Sequence, residues 1–77
     1  METSAIAKAS QKALARLAAL WESHKPAVQH EARTLAGAVA LMKKHNCKHP
    51  QEAIEQEAKQ RAVAQFKAEI DLMEAAL

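Results

Sequence analysis

The chain has no tyrosine, one glycine, one cysteine, one tryptophan, one phenylalanine and two prolines in 77 residues. Each scarcity excludes something. A lone cysteine cannot close an internal disulfide, so no disulfide framework compensates for a small core, and the usage suits a reducing compartment. With a single glycine there is no glycine-rich phosphate loop, and neither a nucleophile motif nor an obvious acid–base pair of carboxylates stands in the sequence. The chain reads as non-enzymatic and without a cofactor. Long apolar runs are missing as well: "ALARLAALW" is interrupted by Arg16, and no secretory leader pattern is seen. The expectation is a soluble, cytoplasmic protein that does not enter membranes.

What is present is alanine, 19 residues of it, against only 17 larger apolar side chains once Met1 and Cys47 are set aside. Alanine loses no side-chain entropy in a helix, and the Leu, Lys, Gln, Glu and Arg that fill the rest lose little. The composition predicts an all-α protein with no strand. A domain of this size with so few large apolar groups is marginal alone, so self-association or a partner is expected. The net charge of +2 is too balanced to imply nucleic acid by itself.

Apolar spacing divides the single domain, 1–77, into three helical segments, about 3–24, 26–45 and 50–77. In the first, Ile6, Ala13, Leu17, Leu20 and His24 form one stripe, with Leu14 and Trp21 beside it. Pro26 disfavours helical geometry at Lys25, which leaves either a turn or a kinked continuous helix there. The second segment repeats the pattern with Val28, Ala32, Leu35, Val39 and Met42. Lys43, Lys44 and His45 suit the negative end of its dipole, and Asn46 suits the left-handed residue that follows. Pro50 fits the first turn of the third segment, whose stripe is Ile54, Ala58, Ala62, Phe66 and Ile70, then Met73 and Leu77. Glu55–Lys59 and Glu57–Arg61 are favourable pairs on its surface. Its end, Ile70 to Leu77, is apolar on more than one side and is expected to overhang the first helix. The architecture expected is a three-helix bundle, or a helical hairpin plus a long C-terminal helix, as a dimer.

Three constellations carry chemistry. His45, Cys47 and His49 alternate, and imidazole plus thiolate suit zinc or copper, but the spacing matches no common zinc signature and an ordinary basic loop is the preferred reading. Lys8, Lys12 and Arg16 lie four apart on one flank of the first helix, and Lys43, Lys44 and Lys48 form a second basic group. Either could follow a phosphate backbone or steer toward an acidic protein. Gly37 costs about 1 kcal/mol inside a helix relative to alanine, and with Leu41 it marks a second face where another helix could approach.

The function expected is that of a small interaction protein, a homodimer that binds an acidic surface on another macromolecule and regulates or sterically blocks it. An inhibitor of a host defence complex, carried by a phage or other mobile element, is compatible with this. Its anchors are Trp21, Gly37, Leu41, Ile70, Leu72, Met73 and Leu77. The alternative is a nucleic-acid-binding transcriptional regulator that uses the basic helix faces.

Overall fold

A computed structural model describes the backbone of residues 2–76 and the side chains of residues 11–76. Three helices account for most of it: α1, Glu2–Glu31; α2, Leu35–His45; and α3, Pro50–Ala76. Among the described residues no strand is present, and no helix is long and apolar enough to cross a membrane.

Helix α1 runs through Pro26 without a break. A proline inside a helix costs about 3 kcal/mol, because it removes one hydrogen bond and crowds the preceding turn. Here the cost is met by packing on both sides of it. Leu20 precedes Pro26 and Val28 follows it, and both side chains are buried. The Pro26 ring itself is exposed. The turn comes later, at residues 32–34, where Thr34 is extended and its hydroxyl accepts the Gly37 N–H at 3.0 Å. That is an ordinary N-cap. The other boundary follows the sequence expectation: Asn46 is left-handed (φ 52°), and the Cys47 N–H reaches back to the Met42 carbonyl at 2.9 Å.

The late turn reverses the expected face of α2. The stripe Val28–Ala32–Leu35–Val39–Met42 keeps its phase only if one helix spans it, and the break at 32–34 resets that phase. Leu41 is buried, Gly37, Ala38, Met42 and His45 are partly covered, and Leu35 and Val39 point outward. Leu35 is the more exposed of the two, at 82%.

Helices α1 and α3 lie antiparallel, with contacts running from Arg16–Glu69 at one end to Lys25–Glu55 at the other. At 1.5 Å per residue α1 is about 45 Å long and α3 about 40 Å, so the overhang expected for α3 belongs to the N-terminal end of α1. Helix α2 packs on the N-terminal half of α3. The core therefore sits at one end, where Val28, Leu41, Ala53, Ile54 and Ala58 form one cluster with Trp21, Ala32, Met42 and Cys47 against it. Buried Ala53, Ala58 and Ala62 on α3 let neighbouring helices come close. The resulting body is elongated, 51 × 25 × 19 Å.

Gly37 is explained by the corner between α1 and α2. A Cβ placed there would lie 1.9 Å from the Glu31 carbonyl oxygen and 2.9 Å from the Thr34 hydroxyl. Backbone cannot step aside as a side chain can. Gly37→Ala is therefore expected to destabilise the protein despite alanine's better helix propensity, by about 1–3 kcal/mol as in other overpacked sites. Thermal unfolding followed by circular dichroism measures this, and the expected drop in midpoint is about 4–8 °C per kcal/mol.

Candidate functional site

Glu57 is the one buried charged residue among the described side chains, 4% exposed. It stands on the face of α3 that meets α2. Its Oε1 accepts from Lys44 Nζ at 2.9 Å and lies 2.7 Å from His45 Nε2. Its Oε2 accepts from Arg61 Nε at 2.8 Å, one turn along α3. Arg61 then reaches Glu31 at the end of α1, with Nη1 2.6 Å from Oε2 and Nη2 2.9 Å from Oε1. One carboxylate and one guanidinium thus connect the last turns of α1 and α2 to α3.

Burial pushes the Glu57 carboxyl up. The hydrogen bonds from Lys44, His45 and Arg61 outweigh that and hold it at about 2. Hydrogen bonding from Arg61 also holds Glu31 below the usual carboxylate range, and the bonds to Glu31 and Glu57 raise Arg61. The Glu57–Arg61 pair expected from spacing is present, but it is a buried junction rather than a surface decoration. Nothing in the alternation of apolar residues marked Glu57 as inward-facing. The available signal was its position three residues after Ile54 and next to Ala58, both on the stripe, and that signal is weak.

The basic groups are split by the fold. Arg16 makes two contacts with Glu69, Nη2 to Oε1 at 2.5 Å and Nε to Oε2 at 3.2 Å, and Lys44 is drawn onto Glu57. Lys12, Lys43 and Lys48 remain exposed, and the Lys8 side chain lies outside the described residues. Lys59 does not pair with Glu55 as spacing suggested. It sits over the Trp21 ring 5.7 Å from the centroid, with Lys25 at 5.5 Å, a cation–π arrangement.

The alternating His45, Cys47 and His49 are not brought together. His45 turns onto Glu57, and the Cys47 thiol points to the His45 carbonyl at 3.4 Å, with burial pushing its pKa up. Among the described residues no three His, Cys, Asp or Glu side chains converge as metal ligands would.

Of the expected anchors, Leu41 belongs to the core and Gly37 to the α1–α2 corner, so neither presents a docking face. Trp21 is half-buried against the core. Ile70, Leu72 and Met73 are exposed at 39, 71 and 68%. Leu77 lies outside the described residues. Sequence spacing missed the outer face of α2, where Leu35 and Val39 line up with Met42 beside exposed Lys43. An open recess of about 260 Å³ lies at its end, lined by Val39, Met42, Lys43, Asn46 and Cys47.

The Glu57 junction predicts a pH dependence. Because its folded pKa lies below the ordinary carboxylate value of 4.5, the stabilisation it gives is complete above about pH 4.5 and is lost as the pH falls toward 2. A shift of that size corresponds to stabilisation on the order of 3 kcal/mol at neutral pH. Urea unfolding from pH 7 to pH 2 is expected to show a steep loss below pH 4.5 in the parent and a flatter profile in Glu57→Gln. Parallel profiles for the two proteins would contradict the assignment. No protein-family model, no curated protein and no solved structure matches the chain.

Proposed function

We propose that the chain is a non-catalytic interaction protein of the cytoplasm that acts as a dimer, docking on another macromolecule and regulating or sterically blocking it. The observation that carries this reading is the outward turn of the α2 stripe. Leu35 is 82% exposed on a helix whose opposite face is fixed by Leu41 and by the Glu57 junction. A large apolar side chain held in water on a fixed helix costs free energy unless something covers it.

Chemistry around that face describes the partner. Lys43 lines the recess with Val39, Met42 and Cys47, Glu52 lies on the Cys47 side of it, and Glu57 and Glu31 are engaged inward by Lys44, His45 and Arg61. The surface therefore offers an apolar stripe with exposed Lys43 at its edge. It fits a protein surface that supplies an apolar anchor and acidic rim residues, the anchor giving affinity and the charges the encounter rate. The nucleic-acid reading draws less support, because Arg16 and Lys44 are held in ion pairs.

A tagged pull-down from nuclease-treated lysate of the source organism tests the proposal. A stoichiometric protein partner is expected, retained by the parent and lost at least tenfold in Leu35→Asp, with helicity and native mass unchanged in that variant. Recovery of nucleic acid alone, with affinity falling steeply with salt, would overturn it in favour of the regulator of transcription.

A further inference from the structure

The far half of the α1–α3 hairpin, which α2 does not reach, carries a second apolar face. Phe66 lies nine residues, about two and a half turns, beyond Glu57, so it stands on the side of α3 opposite α2. Val63, Phe66, Ile70 and Met73 follow one another there at spacings of three, four and three. Those intervals keep a seam facing a neighbouring helix. Helix α1 contributes to the same side: Leu14 and Trp21 are seven residues apart, and Lys59, seven before Phe66, lies over the Trp21 ring. Val63, Ile70, Met73 and Leu14 are all exposed, and Phe66 is half-buried.

The exposed surface is large for the mass of the chain. A folded monomer of 8.4 kDa is expected to expose about 4,600 Å². This chain exposes 5998 Å². The excess, about 1,400 Å² over the whole chain, is larger than the roughly 800 Å² that each partner buries in a standard interface, so there is surface enough for one. Elongation is its source: the radius of gyration is 15.8 Å, against about 11.5 Å for a compact domain of this length.

We propose that a second copy of this chain covers this face, its α3 running antiparallel to the first across a two-fold axis at Ile70, so that two hairpins make a four-helix layer. The inference rests on the reading of the chain as an interaction protein and names one of its partners. Charge decides both the occupant and the register. Lys67 and Glu74 lie seven apart along one flank of the seam, each just after an apolar seam residue. In an antiparallel pair centred on Ile70, Phe66 stacks on Met73 of the other copy and Ile70 on its own counterpart. Lys67 then faces Glu74 across the axis, twice. The other flank carries Glu69, already held by Arg16 of its own chain, and brings no unpaired like charges together. A parallel pairing would instead turn this flank toward the opposite flank of the other copy, setting Glu74 against Glu69 and Lys67 against Ala62, so both Lys67–Glu74 pairs form only in the antiparallel arrangement. Two-fold symmetry closes the assembly and leaves the outer face of α2 free on each copy.

Sedimentation equilibrium of the full chain tests this. The parent is expected at twice 8.4 kDa at micromolar concentration. Lys67→Glu and Glu74→Lys, each setting like charges across the axis twice, should weaken the dimer roughly tenfold, and the double exchange should restore it. Restoration excludes simple misfolding as the cause. Ile70→Cys in a Cys47→Ser background should form a disulfide-linked dimer on mild oxidation, as only a residue on the axis meets its own copy. A parent that stays monomeric at 100 µM overturns the inference, and if its Leu35-dependent partner is still captured the proposed function stands without it. A dimer that neither responds to the charge exchanges nor cross-links at position 70 overturns the register and with it the proposal.

Discussion

A carboxylate taken out of water must be paired, and in this protein the pairing of Glu57 decides where the helices go. Burial alone would cost several kcal/mol. Lys44 and His45 at the end of α2 and Arg61 on α3 satisfy both of its oxygens, and Arg61 carries the linkage to Glu31 at the end of α1. The large apolar side chains near the junction are few, with Val28 and Leu41 the chief contributions from α1 and α2. In so small a core directional bonds fix a helix position that alanine contacts would leave loose.

That arrangement has a consequence for shape. Helix α2 is drawn to one end of the hairpin, where Ala53, Ile54 and Ala58 receive it, and no third helix remains for the far half. Apolar groups are then left on two sides of an elongated body: Leu35 and Val39 outside α2, and the Val63–Met73 seam on the hairpin. The two faces differ in character: exposed Lys43 borders the first, and Lys67 and Glu74 run beside the second.

Much of the fold was legible in the sequence because helix content follows from composition, and because Asn46 and Pro50 mark their boundaries by backbone chemistry alone. Two things were not. Pro26 left a turn and a continuous helix both open; buried Leu20 and Val28 on either side of it go with the continuous helix, and the true turn at Thr34 moved α2 out of phase with the stripe that spacing suggested. Tertiary packing outweighed a local preference. Glu57 was hidden for a different reason: a charged residue four before an arginine reads as a surface pair, and its burial depends on α2 and α1 arriving from elsewhere in the chain. The candidate faces changed accordingly. Gly37 and Leu41 turned inward with the phase of α2, and Leu35 turned outward in their place.

The measurement that tests the central role of Glu57 most directly is residue-resolved amide hydrogen exchange on the parent and on Glu57→Gln at neutral pH. If the junction fixes α2, amides of residues 38–45 lose protection selectively in the variant, while the α1–α3 pairing around Leu20 and Ala62 keeps it. Unchanged protection in α2, or an equal loss along all three helices, would contradict the account.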